Sequence, residues 1–206
     1  MTSKIYLIRH GITEGNVKRW FYGSTDLSLI EEGRQALAKL AAEGYYPKLP
    51  KGAKLYTTGL KRTEETMEVI YGNKGTGLLT DLREMNFGEY ECHSFKELEK
   101  DEIFIRWMED QSGDMALPGG ESKNQFAERV KQGMKWLLED CSAGLSEESG
   151  PESQVAFVVC HGGVIAEALD QLFPEEKENM WQWMPHPGYG YEVLVEDGRP
   201  LEARPL

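Results

Sequence analysis

Short apolar runs alternate along the chain with longer segments in which apolar residues recur every three or four positions. The runs that predict strands cover residues 4–8, 53–56, 155–159 and 189–195. The run at 155–159 is continuously apolar, which is typical of a strand buried on both faces. Strands that alternate with helices in this way predict an α/β fold with a mainly parallel sheet.

Helical periodicity is clearest in the middle of the chain. Ser28 and Glu31 have the spacing of a capping box, so the first long helix is predicted to begin at Ser28 and to end at Gly44. The other predicted helices cover residues 60–71, 95–108, 121–141 and the stretch between 161 and 174. The predicted loops and linkers cover residues 82–91, 110–120 and 146–154. The order of these elements predicts a three-layer sandwich, with the central sheet flanked by helices.

Composition and charge limit the classes of partner. The 206 residues contain no internal repeat, and their apolar content of 40% is ordinary for a folded domain. A net charge of -12 argues against a nucleic acid or an anionic membrane, because both require a positive surface. An anionic small molecule requires that basic residues be concentrated at one site. The sequence does not indicate an oligomeric state.

The expected location follows from the absence of export and membrane signals. No apolar run is long enough to span a bilayer, and the first residues have no signal-peptide pattern. The three cysteines form no CxxC pair, which predicts reduced thiols rather than a disulfide framework or a zinc site. These features predict a cytoplasmic protein.

Two of the predicted strands run directly into a His-Gly pair. His10 follows the strand at 4–8, and His161 follows the strand at 155–159. Ligands of open parallel sheets bind beyond the carboxyl ends of the strands, so neighbouring strands would bring the two imidazoles together. The amides that follow His161 begin a helix, whose positive end favours an anion.

A metal site is the alternative interpretation of the two histidines, with Glu84 as a third ligand. No HxH, HxxxH or HxxE spacing is present, and the positive charge of the adjacent Arg9 opposes cation binding. We therefore expect no metal at this site. His93 and His186 lack the paired context and are expected to be ordinary turn or surface residues.

Six segments resemble, in order, the conserved blocks of the histidine phosphatase superfamily, which has the phosphoglycerate-mutase-like fold. They are residues 9–16 (RHGITEGN), 23–33 (GSTDLSLIEEG), 56–63 (YTTGLKRT), 82–91 (LREMNFGEYE), 118–122 (PGGES) and 159–165 (VCHGGVI). The resemblance covers nearly the whole chain. It implies one domain over residues 1–206, in which residues 87–120 form a cap over the active site.

The resemblance also implies catalytic roles for five residues. His10 is the expected nucleophile, which attacks phosphorus in its neutral form while its other ring nitrogen donates to a carbonyl near Gly11. The remaining four are Arg9, Arg62 and a protonated His161, which hold the phosphoryl oxygens, and Glu84, which donates a proton to the leaving oxygen. The expected substrate-binding residues are Asn16, Tyr22, Gly23 and Gly162. No cofactor is implied.

The family contains mutases as well as phosphatases. Cofactor-dependent mutases carry basic residues after the catalytic acid, whereas residues 87–94 of this chain contain two glutamates and no arginine. An acidic stretch disfavours a second phosphate, so we expect a phosphatase acting on a small phosphate ester, similar to bacterial α-ribazole or broad-specificity phosphatases. The alternatives are a mutase and a catalytically silent phospho-ligand-binding protein. Cys92 and Cys160 depart from the family pattern, which usually has glycine and threonine or serine there.

Aromatic residues near the expected site suggest a wall for the leaving group. The candidates are the aromatic residues Trp20, Phe21, Tyr22, Phe104 and Trp107, together with Met108. The competing interpretation is that these side chains pack in the core, as large aromatic residues usually do.

Overall fold

The computed structural model describes residues 2–72, 74–143 and 155–206. Its strands are β1 (Thr2–Arg9), β2 (Trp20–Phe21), β3 (Lys54–Thr57), β4 (Gly77–Leu78), β5 (His93–Ser94), β6 (Val155–Cys160), β7 (Gly190–Glu196) and β8 (Arg199–Pro205). Its α-helices are α1 (Glu14–Lys18), α2 (Glu31–Ala42), α3 (Lys61–Tyr71), α4 (Phe95–Leu98), α5 (Glu102–Glu109), α6 (Lys123–Ala143) and α7 (Gly162–Leu172).

Six of the strands form a central sheet in the order β4-β3-β6-β1-β7-β8. Strands β4, β3, β6 and β1 pair in parallel, and β7 pairs antiparallel with both β1 and β8. Five of these six strands therefore run in one direction. The predicted mainly parallel sheet is confirmed. The short strands β2 and β5 pair separately.

The sheet separates two hydrophobic layers. Side chains alternate between the faces of a strand, so Ile5 and Leu7 of β1 pack on the side of α6 and α7. Tyr6 and Ile8 pack on the opposite side, together with residues of α2 and α3. Helices thus cover both faces, which confirms the predicted three-layer sandwich.

The capping box predicted at Ser28 is wrong. Helix α2 begins at Glu31, and Ile30 occupies its N-cap without a side-chain hydrogen bond. The backbone before the helix is tied elsewhere, because the Leu29 amide donates to Glu65 (2.7 Å) and the Ile30 amide to the Ile12 carbonyl (3.0 Å). These hydrogen bonds hold residues 29 and 30 in an extended conformation, so the helix begins only at Glu31.

The helix predicted over residues 95–108 is interrupted. Asp101 caps α5 by accepting from the Phe104 amide at 2.9 Å, so α4 and α5 are separate helices. The same carboxylate accepts from the Tyr90 hydroxyl at 3.0 Å.

Strand β8 was not predicted, and the linker predicted at 146–154 lies outside the described residues. No helix among the described residues is long and apolar enough to cross a membrane.

We predict that Leu7→Ala destabilises the fold by about 2–5 kcal/mol, because a buried leucine loses its contacts and leaves a cavity. Leu7 is 1% exposed and lies two residues before Arg9. Urea unfolding followed by circular dichroism measures the change. Leu201→Ala on β8, where the leucine is 51% exposed, is the matched control and should cost less than about 0.5 kcal/mol. Equal effects of the two substitutions would contradict this assignment of the core.

Candidate active site

The pairing of β1 with β6 brings His10 and His161 together. Arg9 lies opposite Cys160 in the parallel register, so each histidine is the residue that follows the last pair. The His10 amide also donates to the Cys160 carbonyl at 3.0 Å. The two imidazole centroids are 5.3 Å apart, and both side chains are buried.

Hydrogen bonding fixes the tautomer of His10. Its Nδ1 lies 2.7 Å from the carbonyl oxygen of Gly11, to which it donates as expected. Gly11 is in turn held by its amide, which donates to the Thr66 hydroxyl at 2.9 Å. Nε2 therefore carries the lone pair. Burial, followed by the charges of Arg62 and Arg9, lowers the pKa of His10 well below its usual value, so the imidazole is neutral.

Arg62 is a fully buried cation whose guanidinium is oriented by hydrogen bonds to backbone carbonyls. Its Nη2 donates to Gly23 at 2.7 Å, and its Nη1 donates to Thr25 at 2.8 Å. Its Nε donates to Nδ1 of His161 at 3.3 Å. The guanidinium also lies over the Tyr22 ring, with Cζ 5.0 Å from the ring centroid. These contacts hold it in one orientation beside the two imidazoles.

The expected protonation of His161 is wrong for the ligand-free site. Because Arg62 can only donate, Nδ1 of His161 must accept, and the ring proton lies on Nε2. Nε2 contacts the Thr58 hydroxyl at 3.0 Å. Burial, then the charges of Arg62, His10 and Arg9, lowers the pKa of His161 well below its usual value. In this site His161 is neutral and not a third cation.

Arg9 has a buried donor without a protein partner. Its Nη1 donates to the Pro185 carbonyl at 2.8 Å, whereas its buried Nε has no hydrogen-bond partner among the described residues. A Cβ at Gly162 would lie 2.8 Å from the Arg9 Cζ, so glycine is what lets the guanidinium approach the start of α7. A buried N–H of this kind requires an acceptor, which a ligand oxygen can supply.

Glu84 also contacts the start of α7. Its Oε2 accepts from the Gly163 amide at 2.9 Å, and its Oε1 accepts from the amide of Met85 at 3.0 Å. A Cβ at Gly163 would lie 2.5 Å from Oε1. The two glycines at the start of α7 thus make room for a cation and a carboxylate.

Asn16 and Tyr22 are connected through Thr13. The Asn16 Oδ1 accepts from the Thr13 amide at 3.0 Å and from its hydroxyl at 3.1 Å. The Thr13 hydroxyl also contacts the Tyr22 hydroxyl at 2.7 Å. Because the side-chain oxygen of Asn16 is engaged, its Nδ2 group is the donor that it offers to the cavity.

Glu91 organises the loop that holds Arg62. Its carboxylate accepts from the amides of Gly23 (3.0 Å), Ser24 (2.7 Å) and Thr25 (2.6 Å), and from the Thr25 hydroxyl. Gly23 fits only as glycine, because a Cβ there would lie 1.7 Å from the Met85 carbonyl oxygen. The sequence signal for Glu91 is its place as the last residue of the block at 82–91; by itself it resembles a solvated surface carboxylate.

Cys92 shows why the family usually has glycine at this position. Its φ angle is 61°, in the left-handed region that side chains rarely adopt. The other departure, Cys160, is fully buried at the end of β6. Burial raises the pKa of its thiol, so it stays protonated.

Three of the five candidate catalytic residues, Arg9, His10 and Glu84, line a cavity of about 230 Å³, whereas Arg62 and His161 are not among its lining residues. It is lined by Arg9, His10, Asn16, Trp20, Phe21, Tyr22, Glu84, Met85, Phe87, Phe126, Gly163, Trp181 and Met184. Three of the predicted aromatic residues, at positions 20 to 22, therefore lie in its wall. Phe104 and Trp107 do not: they are buried in the core, whereas Met108 is exposed.

The structure thus brings Arg9, His10, Arg62, Glu84 and His161 to one site, as expected. Within the described residues, no three histidine, cysteine, aspartate or glutamate side chains are arranged to hold a metal ion. The other two histidines, at positions 93 and 186, are exposed.

Comparison with known proteins gives relatives of both reaction types. A candidate phosphoserine phosphatase 2 of Hydrogenobacter thermophilus is 32% identical over 183 residues, which cover 86% of this chain and 82% of that protein. A 2,3-bisphosphoglycerate-dependent phosphoglycerate mutase of Brucella ovis is 30% identical over 185 residues, 85% of each chain.

Solved structures agree on the fold. The phosphoglycerate mutase of Thermus thermophilus superposes with a TM-score of 0.67 at 28% identity, covering 98% of this chain and 99% of that one. The α-ribazole phosphatase of Shigella flexneri superposes with a TM-score of 0.79 at 22% identity, covering 98% and 95%. The sequence model of the histidine phosphatase superfamily (branch 1) matches residues 5–203. This chain is a member of that superfamily.

Proposed function

We propose that the protein is a phosphomonoesterase that hydrolyses a small organic phosphate through a phosphohistidine on His10. The observation that carries the proposal is the state of His10. It is buried and neutral, and its Nδ1 is occupied by the Gly11 carbonyl, so Nε2 is the nucleophilic atom. It also lies in the same cavity as Arg9 and Glu84.

The first step transfers the phosphoryl group to the enzyme. Nε2 of His10 forms a bond to phosphorus while the bond from phosphorus to the ester oxygen breaks. Protonated Glu84 gives its proton to that oxygen, so the product leaves as an alcohol. Arg9 and Arg62 stabilise the charge on the equatorial oxygens, and Asn16 and the Gly162 amide add donors.

The second step returns the enzyme to its starting state. The Glu84 carboxylate takes a proton from water, and the water oxygen bonds to phosphorus as the bond to Nε2 breaks. Inorganic phosphate leaves, and Glu84 is again protonated. One carboxyl group therefore serves as acid and then as base, and the balance requires no metal or cofactor.

The cavity favours a phosphatase over the mutase alternative. A mutase must retain a bisphosphate, which requires cations for its second phosphate. Among the described residues that line the cavity, Arg9 is the basic residue besides His10, and most of the others are apolar. The acidic residues Glu89 and Glu91, which follow Glu84 in sequence, are not among the described residues that line the cavity, so the lack of further cations in that lining is what disfavours a second phosphate. The single domain over residues 1–206, with residues 87–120 as its cap, stays a prediction.

We predict that His10→Asn lowers phosphatase turnover by at least about 10³-fold, because the nucleophile is removed. Turnover is measured with p-nitrophenyl phosphate in the presence of EDTA, where the unchanged protein should remain active. Brief reaction with a ³²P-labelled ester, followed by alkaline quenching, should give an alkali-stable, acid-labile phosphoprotein from the unchanged protein alone.

His93→Asn is the matched control, since His93 is exposed, and it should keep both turnover and labelling. Full activity of His10→Asn would overturn the nucleophile assignment. Loss of the unchanged protein's activity in EDTA would instead favour a metal hydrolase.

We predict that the rings of His10 and His161 are both neutral at pH 6.5 in the free enzyme. Nitrogen-15 NMR of labelled imidazoles should show His10 with its proton on Nδ1 and His161 with its proton on Nε2. Because folding lowers the pKa of both groups, the unfolded chain binds more protons below about pH 6.5. The free energy of unfolding should therefore fall as the pH is lowered below that value. Two imidazolium signals at pH 6.5 would contradict the prediction.

A further inference from the structure

We infer that the outer part of the cavity selects a phosphate ester whose leaving group is an uncharged aromatic alcohol of about one ring. This inference rests on the proposed function and specifies the substrate class. Three features carry it: a supported aromatic wall, an exposed tryptophan in the cavity lining, and the absence of charge beyond the catalytic residues among the described residues that line the cavity.

The wall is rigid because it is packed from behind. Phe21 and Phe87 contact each other edge to face, with centroids 5.4 Å apart. Behind them lie Phe104, at 5.1 Å from Phe21, and Trp107, at 5.9 Å from Phe87. Both supporting residues are buried in the core. A preformed apolar surface loses little entropy when a flat apolar group binds to it.

Trp181 lines the cavity and is largely exposed to solvent. It belongs to a 3₁₀ turn, Met180–Trp183, and its side chain is 61% exposed, whereas Trp183 of the same turn is 1% exposed. The ring of Trp181 is both part of the cavity lining and open to solvent, so a leaving group bound there can cover it. Trp20 also lines this cavity, and the Lys18 ammonium over its ring is paired with Glu14 at 2.6 Å.

Charge in the cavity is confined to its catalytic end. Of the described residues that line it, Arg9 and Glu84 are the charged ones apart from the titratable His10. Both act at the phosphoryl group, so a second anionic group on the substrate would be desolvated without a partner. The volume of about 230 Å³ lies below the roughly 300–1,000 Å³ of sites for drug-sized ligands. A single ring fits that volume better than a nucleoside.

The test compares 2-phenylethyl phosphate with glycerol 3-phosphate. Both release a primary alkoxide, so a difference in kcat/KM reports recognition rather than leaving-group acidity. We expect 2-phenylethyl phosphate to be favoured by roughly tenfold or more, as burial of one ring allows. Trp181→Ala should remove most of that preference by lowering kcat/KM for the aromatic ester, with little change for glycerol 3-phosphate.

Trp136→Ala is the matched control, because Trp136 is 47% exposed on α6 and packs against Tyr56. It should leave the preference intact. Equal kcat/KM values for the two esters, or an equal loss for both in Trp181→Ala, would overturn the inference. If no ester is hydrolysed and no phosphohistidine forms, the proposed function itself fails.

A second inference rests on a separate observation: we propose that Glu91 is a positioning residue for Arg62. The Glu91 carboxylate accepts hydrogen bonds from the amides of residues 23 to 25. The carbonyls of Gly23 and Thr25 in turn accept from the Arg62 guanidinium. The orientation of Arg62 toward the phosphoryl group is thus set by an acid that does not touch the substrate.

We predict that Glu91→Gln lowers kcat/KM for p-nitrophenyl phosphate by up to about 100-fold, because Arg62 loses its alignment. The glutamine amide would present N–H groups to backbone donors, so part of the hydrogen bonding between residue 91 and the loop at 23–25 would be lost. In an Arg62→Ala background the same substitution should have little further effect, since the group that it positions is gone. A thermal melt of each variant measures the cost to stability.

Glu89→Gln is the control, because Glu89 is exposed, lies two residues before Glu91 and loses the same charge when it is replaced. It should retain activity within about twofold of the unchanged protein. If Glu91→Gln costs the same factor with and without Arg62, or shifts the melting temperature without a change in kcat/KM, its role is structural and the inference is wrong.

Discussion

The in-register parallel pairing of β1 with β6 is the constraint on which the site depends. It runs from Lys4 opposite Val155 to Arg9 opposite Cys160, and each strand then continues into its histidine. A slip of one residue would turn one strand's side chains to the opposite face of the sheet, which both apolar layers forbid. The burial of short apolar segments therefore fixes the spacing of imidazoles that are distant in sequence.

The charge at this edge of the sheet is positive, whereas the protein as a whole is negatively charged. The chain is strongly acidic, yet Arg62 is buried with carbonyl and imidazole acceptors rather than a carboxylate salt bridge. Burying a cation without an anion is costly, and in the proposed reaction the phosphate dianion of the substrate supplies the compensating charge. Burial, together with the positive charges of Arg62 and Arg9, lowers the pKa of His10 and His161 and keeps both imidazoles neutral.

Residues behind the site contribute to its precision. Gly162 and Gly163 leave room at the start of α7 for the side chains of Arg9 and Glu84. Glu91 accepts hydrogen bonds from the loop at 23–25, whose carbonyls orient Arg62. Phe104 packs behind Phe21 and supports the aromatic wall. Each contact is modest in energy, but together they remove the alternative positions of the groups in contact with substrate.

The sequence by itself determined the α/β architecture, the parallel sheet and the five candidate catalytic residues, because these depend on local apolar periodicity and on motif blocks. Tertiary structure decided the rest. The start of α2 moved to Glu31 because distant backbone partners hold the preceding residues extended. The neutral state of His161 follows from a bond with Arg62, and Phe104 lies behind the wall rather than in it. Such features depend on burial and on partners far away in sequence, which no local pattern records.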